Sequence, residues 1–191
     1  MAVLDLSTSP MRGLRRVFRR NLWVRALAVG VLCCSALAQT SLEYQVKAAF
    51  LLNFTKFVEW PAAAFEDERS PISICVLGND PFSGALHQIV EGEVVGGRRV
   101  AVQLVRGVPP PKVCQVLYTG RPDKDTRKFL TGLGPGVLTV GEGDGFLNEG
   151  GIITFVVDNR RVRFDINQSA AAKASVTISS KLLAVARSVE K

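Results

Sequence analysis

The fold class is decided by the segment ISICVLGNDP, which spans residues 72–81. Its first six residues form a short apolar run, as expected for a strand that is buried on both faces. The turn Gly78-Asn79-Asp80-Pro81 follows, with Asp80 placed to cap a helix and Pro81 at the first helical position. This order predicts a strand over 72–77, a helix over 82–91 and an α/β fold.

The same alternation of strands and helices continues toward the C-terminus. The further predicted elements are strands at 99–105, 113–118 and 137–140, helices at 123–133, 168–175 and 179–189, and a hairpin of 152–157 with 161–166. In the hairpin, the alternating residues Val162, Phe164 and Ile166 are expected to face inward. The pattern predicts a largely parallel sheet that is flanked by helices, with an antiparallel hairpin near its end.

The first predicted helix runs from a capping box of Thr40 and Glu43 to about Val58. Its main apolar stripe consists of Val46, Phe50, Phe54 and Phe57. A second stripe adds Ala48, Ala49, Leu51 and Leu52. A helix that is apolar over more than one stripe is either fully buried or partly covered by another chain. We therefore regard this helix as a candidate surface for self-association or for a partner.

Length and composition are those of about one globular domain, with 191 residues, 47% of them hydrophobic and 21% charged. The formal net charge of +7 is concentrated near the N-terminus. Six of the 24 basic residues and one of the 17 acidic residues lie before residue 39, which leaves 18 basic against 16 acidic residues. Because the remainder is nearly neutral, no nucleic-acid partner is expected.

The first 38 residues have the pattern of an export signal. Arginines concentrate at 12–25, the apolar run ALAVGVL follows at 26–32, and Ala36-Leu37-Ala38 offers small residues for cleavage before Gln39. The apolar run is far shorter than the roughly 20 residues of a membrane span, although an uncleaved anchor is the alternative. We predict a cleaved signal peptide at 1–38, one domain at 39–191 and a periplasmic location.

Cleavage would leave two of the four cysteines, Cys75 and Cys114. In an oxidising compartment, two cysteines are more often paired than free. A disulfide between them would stabilise the fold by about 3–4 kcal/mol on the chain-entropy estimate. Two buried free thiols are the alternative. The spacing fits neither a C-x-x-C redox motif nor a zinc site.

No catalytic residue, metal ligand or cofactor is assigned from the sequence. His87 is the only histidine, and its predicted helical position is more typical of an exposed or capping side chain than of a catalytic one. The segment GEGDG at 141–145 matches no phosphate-binding motif, and we interpret it as a flexible turn. Arg160, Arg161 and Arg163 cluster at the predicted hairpin, either as edge protection or as a site for an acidic partner or a small anion.

Five segments carry a family resemblance. They are EYQVKAAFLLNFTKFVEWP at 43–61, ICVLG at 74–78, GGIITF at 150–155, VRFDIN at 162–167 and ISSKLL at 178–183. Together they resemble the YfiR/HmsC-like family of periplasmic proteins, in order over nearly all of residues 43–189. The resemblance implies a Rossmann-like, often dimeric α/β domain without catalytic activity, and it matches Cys75 and Cys114 to the family disulfide. A second cysteine pair found in the family near the GGI segment has no counterpart in this sequence.

The resemblance also implies a function. In this family, a periplasmic protein represses an inner-membrane diguanylate cyclase by binding its periplasmic part, and an outer-membrane lipoprotein relieves the repression. We therefore expect a non-enzymatic regulator that lowers cyclic-di-GMP, and thereby controls biofilm formation. Its expected partner is the periplasmic domain of a membrane diguanylate cyclase or sensor kinase.

The residues expected to bind this partner are Phe54, Phe57 and Trp60, with Lys56 at the rim, because large apolar side chains dominate interfaces. The alternative is a periplasmic module that binds a small ligand and serves a sensor kinase or a transporter. Open α/β sheets place pockets at the carboxyl ends of their strands, here at Gly78-Asn79-Asp80 and Gly141-Glu142.

Overall fold

The computed structural model describes residues 42–191. The predicted signal peptide, its cleavage point before Gln39 and the capping residue Thr40 lie outside these residues. Within residues 42–191, no helix is long and apolar enough to cross a membrane.

The described residues form five α-helices and ten β-strands. The helices are α1 (42–57), α2 (Ala85–Val90), α3 (Thr126–Thr131), α4 (Gln168–Lys173) and α5 (Ser180–Val185). The strands are β1 (Val58–Glu59), β2 (Ile72–Leu77), β3 (Val94–Val95), β4 (Arg98–Val105), β5 (Val116–Gly120), β6 (Leu138–Glu142), β7 (Ile153–Asp158), β8 (Arg161–Asn167), β9 (Thr177–Ile178) and β10 (Ser188–Glu190).

Eight strands form one sheet in the order β10-β8-β7-β6-β5-β2-β4-β3, and β1 pairs separately with β9. Strands β4, β2, β5, β6 and β7 are parallel, whereas β8 runs antiparallel to β7. The predictions of a largely parallel sheet and of a late hairpin are therefore confirmed. The finer assignment to a Rossmann-like arrangement stays a prediction.

Helix α1 covers one face of the sheet. Its residues Ala48, Leu51 and Phe54 are wholly buried. The Phe54 ring packs against Phe155 of β7 and Phe164 of β8, with ring centroids 5.8 and 5.2 Å away. Removal of these side chains from water is the main force that holds α1 on the sheet.

The disulfide lies in a second apolar cluster, against which Phe129 of α3 packs. Cys75 of β2 and Cys114, just before β5, are bonded, with their Cα atoms 5.7 Å apart. The pairing predicted from the sequence is confirmed. Because both cysteines are buried, the bond crosslinks the interior of the domain rather than a surface loop.

The helix predicted over 82–91 begins later, at Ala85. The Asp80 carboxylate accepts hydrogen bonds from the backbone N–H groups of Phe82 and Gly84, at 2.8 and 3.2 Å, and this holds residues 81–84 as a turn. Gly84 has a φ of 83°, a conformation that favours glycine and is not helical. Asp80 therefore caps the turn that precedes the helix.

The helix predicted over 123–133 is shorter for a similar reason. The Asp123 carboxylate accepts hydrogen bonds from the Asp125 N–H and the Thr126 hydroxyl. The chain therefore turns at Asp123, and α3 spans only Thr126–Thr131.

The prediction of a helix over 179–189 is wrong beyond Val185. Residues Ser188–Glu190 form β10, which pairs in parallel with β8. The Arg187 N–H donates to the Phe164 carbonyl, and its guanidinium donates to both carboxylate oxygens of Asp165, at 2.9 and 2.5 Å. The apolar residues Leu182, Val185 and Val189 are spaced as on a helix. The open edge of β8 nevertheless offers hydrogen bonds that a continued helix would leave unmade, and these outweigh that spacing.

The flexible turn proposed for residues 141–145 is wrong for its first two residues, because β6 continues to Glu142. Gly141 pairs with Thr154 and Glu142 with Phe155 on β7. Phe146 is wholly buried where its ring lies against Gly141 and Gly151. A Cβ atom on either glycine would overlap that ring, so both positions require glycine for packing.

Candidate functional site on the first helix

Two of the residues predicted to bind a partner have opposite surroundings. Phe54 is 0% exposed and belongs to the core. Phe57, three residues later on α1, keeps 37% of its surface exposed. Phe54 therefore offers no accessible surface in this fold, whereas Phe57 does. Partner binding by either residue stays a prediction.

The other two predicted residues make specific contacts within the domain. The exposed Lys56 ammonium lies 3.0 Å from the Glu93 carboxylate. The indole N–H of the half-buried Trp60 donates to the Gln115 carbonyl at 3.0 Å and fixes the segment after α1 against the sheet. Lys56 is thus exposed but paired within the domain, and Trp60 anchors the chain. Partner binding by either residue stays a prediction.

Helix α1 carries a line of apolar side chains that stay partly exposed. Leu42 is 60% exposed, Val46 36% and Phe57 37%. Phe50 lies in the same line but is half-buried, because its ring packs on Phe155 and Phe164 of the sheet. Spacings of four, four and seven residues place them along one side of the helix. We call Leu42, Val46, Phe50 and Phe57 the exposed row. It is the part of α1 that is available to another molecule.

Beside the exposed row lies a buried polar cluster that the sequence analysis missed. Lys47 is only 2% exposed, and its ammonium lies 2.5 Å from Glu43 and 2.8 Å from Glu142. The same Glu142 carboxylate accepts a hydrogen bond from the Tyr118 hydroxyl. The ammonium also lies 4.5 Å from the centre of the Tyr44 ring. The four-residue spacing of Glu43 and Lys47 is the one signal in the sequence that points to this cluster.

Burial and charge alter the acid–base properties of the cluster. Burial raises the pKa of Tyr118, and the hydrogen bond to Glu142 raises it further. Burial also raises the pKa of Tyr44, with a smaller contribution from the Glu142 charge. Burial alone would lower the pKa of Lys47, but the carboxylates of Glu142 and Glu43 outweigh it, and the pKa is raised. At neutral pH the ammonium is therefore charged and both phenols are protonated.

The two strand ends predicted to form a ligand pocket are occupied by contacts within the chain. The Asp80 carboxylate accepts from the backbone of its own turn, and the Glu142 carboxylate binds Lys47 and Tyr118. A ligand at either position would have to displace these bonds.

A cleft of about 550 Å³ lies elsewhere, between α3, α4 and the amino-terminal ends of β6 and β7. Leu130, Leu133, Val137 and Ile152 contribute apolar walls, and Lys173 is at the exposed rim. The cleft is thus at the opposite end of β6 from the predicted pocket at Gly141-Glu142.

His87 is exposed on α2, as the sequence analysis expected. Arg160, Arg161 and Arg163 are exposed on the hairpin. Among residues 42–191, no group of three or more His, Cys, Asp or Glu side chains is placed to hold a metal ion.

The chain is similar in sequence to a known protein family. A sequence profile of the YfiR/HmsC-like family matches residues 44–187, which include nearly all of α1 and the main sheet up to the start of β10. No curated protein shows a significant match. The chain is similar to the crystal structure of a conserved domain protein from Vibrio cholerae, with 14% identity and a TM-score of 0.41. That alignment covers 62% of this chain and 54% of the Vibrio chain, so this chain spans about half the length of that structure.

Proposed function

Because the chain belongs to the YfiR/HmsC-like family, we propose that it is a periplasmic regulator of cyclic-di-GMP signalling that works by protein–protein contact. Its target is the periplasmic part of an inner-membrane diguanylate cyclase, and binding lowers the output of the cyclase. An outer-membrane lipoprotein that sequesters the regulator would reverse the effect.

The exposed row of α1 is the observation that supports a contact mechanism. Isolated apolar side chains are common on protein surfaces, but a row along one helix provides adjacent anchors. Large apolar side chains at the centre of an interface contribute most of the binding energy. Phe57 is the largest exposed member of the row, and Lys56 lies beside it at a charged rim.

Binding can repress a cyclase by shifting the populations of its active and inactive conformations. A regulator that binds the inactive conformation more tightly than the active one favours the inactive state by the difference in its binding free energies. A competitor that binds the regulator removes this bias. No catalytic step by the regulator is needed, and the polar groups best suited to chemistry, Lys47, Glu142 and Tyr118, bind one another inside the fold.

The proposal is tested by measuring the cellular concentration of cyclic-di-GMP in a strain from which this protein has been deleted. We expect cyclic-di-GMP to rise on deletion and to fall again when the full chain is supplied. A version that lacks residues 1–38 serves as the control for export and is expected not to restore the low level. Unchanged cyclic-di-GMP on deletion would contradict control of a cyclase, and equal rescue by the control would contradict action in the periplasm.

The cleft between α3 and α4 favours one other function, a periplasmic module that binds a small ligand for a sensor kinase or a transporter. A thermal-shift screen with nucleotides and amino acids tests it. A ligand that raises the unfolding temperature of the protein, but not of an Ala170→Leu variant whose cleft is narrowed, would support this function. A screen in which no ligand raises the unfolding temperature would count against this function.

A further inference from the structure

The outer edge of β4 is only partly covered by a neighbouring strand. Strand β3 pairs with β4 as far as Arg99, and the Val100 N–H then donates to the Glu93 carbonyl at 3.0 Å. Backbone groups of alternate residues point to the same side of a strand. The N–H and carbonyl groups of Val102 and Leu104 therefore face outward as well, and no backbone group within residues 42–191 bonds to them.

This edge lacks the features that usually keep a strand edge unpaired. Proteins protect open edges with very short strands, charges, proline or a covering segment. At the far side of the sheet β10 follows this rule, since it has three residues and one of them is Glu190. Residues 101–105 of β4 have the sequence AVQLV, without charge or proline, and Leu104 is 57% exposed. The edge is therefore open to a further strand.

The charges around this edge determine what kind of strand it can accept. Residues 94–108 contain three arginines and no acidic residue. Arg98 donates to two backbone carbonyls, whereas Arg99 and Arg106 are exposed and form no ion pair within residues 42–191. Opposite charges on paired strands stabilise the pairing, and like charges destabilise it. A strand with acidic residues at its ends is therefore favoured.

A second copy of this chain fits the edge less well. Antiparallel pairing of residues 101–105 in two copies would bring Arg106 of each copy next to Arg98 and Arg99 of the other. These like charges would oppose the pairing. An acidic partner strand carries no such penalty.

We infer that the outer edge of β4 is a binding site for an extended segment of another protein, with apolar side chains at alternate positions and an acidic residue at each end. Such a segment would extend the sheet by one strand, with backbone hydrogen bonds to Val102 and Leu104 and an apolar side chain against Leu104. The site shares no residue with the exposed row of α1. It therefore does not depend on the proposed control of a cyclase.

A synthetic peptide tests the site. The probe is ETVTVTE with both termini blocked, titrated into the isotope-labelled protein as purified from the periplasm and followed by NMR of the backbone amides. When the peptide pairs antiparallel with β4, its two valines lie opposite Val102 and Leu104 and its glutamates lie near Arg99 and Arg106. We expect saturable shifts of the Val102 and Leu104 amides, and hydrogen exchange at both that is slower by about tenfold or more.

Methylation of the peptide backbone separates strand addition from charge attraction alone. Methyl groups on both valine nitrogens remove the N–H groups that face β4, and we expect binding to weaken by about tenfold or more. Methyl groups on two of the threonine nitrogens point away from β4, so this matched control is expected to bind like the unmodified peptide. The variant Arg99→Glu/Arg106→Glu is expected to lose affinity for ETVTVTE and to gain affinity for KTVTVTK.

On the protein side, Leu104→Pro removes one outward N–H, and proline is tolerated at such a position of an edge strand. We expect it to weaken binding in a domain that circular dichroism shows to be folded. If this variant does not fold, the methylated peptides carry the same test on the unaltered protein.

Three results would overturn the inference. The first is no binding of ETVTVTE at millimolar concentration, or shifts confined to residues outside β4. The second is equal binding of the two methylated peptides. The third is a concentration-dependent shift of the Val102 and Leu104 amides without any peptide, which would assign the edge to a second copy.

Discussion

Phe54 and Phe57 lie one helical turn apart on α1, but the Phe54 side chain is wholly buried whereas Phe57 is 37% exposed. The two rings therefore have different roles, although the sequence pattern places them on one stripe. Phe54 contacts the rings of Phe155 and Phe164 and holds the helix on the sheet. Phe57 is the member of the pair that can contact another protein.

Alanine substitutions should separate these two roles. Phe54→Ala removes a core ring and is expected to lower the free energy of unfolding by about 3–5 kcal/mol. Phe57→Ala is expected to lower it by only about 1–2 kcal/mol, because its ring is partly exposed already. Chemical denaturation measures both values. Equal losses for the two variants would contradict the different burial of the two rings.

The two tyrosines give a pH-dependent signal from the buried cluster alone, because Tyr44 and Tyr118 are the only tyrosines in the chain. Burial raises the pKa of both phenols in the folded state. Their contribution to stability is therefore complete below the ordinary tyrosine pKa of about 10 and decreases as the pH rises above it.

We expect tyrosinate absorbance to appear at a higher pH than for a free phenol while the domain is folded, and to be complete once the domain unfolds. An ultraviolet titration with circular dichroism recorded on the same samples measures both events. Two tyrosinates that form near pH 10, about the value for a free phenol, in a domain that is still folded would contradict the burial of this cluster.

Removal of the disulfide should destabilise the domain without altering its fold. The bond closes a chain segment with a sequence separation of 39. The variant Cys75→Ala/Cys114→Ala is expected to lose about 3–4 kcal/mol of unfolding free energy on the chain-entropy estimate. Denaturation of the protein with and without a reductant provides the comparison. If a reductant still lowers the stability of the alanine variant, a disulfide other than Cys75–Cys114 contributes to stability.

The two glycines that contact Phe146 should not tolerate a larger side chain. Gly141→Ala or Gly151→Ala would place a methyl group in the Phe146 ring, and we expect each to cost about 1–3 kcal/mol of stability. Gly145→Ala is the matched control, because its Cβ would meet only Pro122 at 3.7 Å. If Gly145→Ala lowers the stability as much as the two test variants do, the cause is lost flexibility of the loop and not the contact with the Phe146 ring.

The features that the sequence analysis predicted depend on local residue patterns or on the number of residues of one type. The hairpin of β7 with β8 follows from alternating side chains around a turn, and α1 from its own periodicity. The pairing of Cys75 with Cys114 follows from their number and from the expected export. Each of these needs little knowledge of the rest of the fold.

The features that the sequence analysis missed depend on contacts between distant residues. Lys47 and Glu142 each resemble an ordinary surface residue until the sheet brings them together. The last strand shows the same limit, because Val189 fits a helical stripe and only the open edge of β8 makes residues 188–190 extended. Local periodicity carries no information about an unpaired strand edge elsewhere in the chain.

The most direct test of the proposed function combines the exposed row with the cellular signal. The deletion strain is complemented, at equal periplasmic abundance, with the unaltered chain, with Val46→Asp/Phe57→Asp, or with the control Val108→Asp/Val185→Asp. The control alters exposed apolar residues that do not belong to α1. We predict that the unaltered chain and the control lower cyclic-di-GMP, whereas the variant of the exposed row leaves it at the level of the deletion strain. Full repression by a folded variant of the exposed row would contradict regulation through this surface.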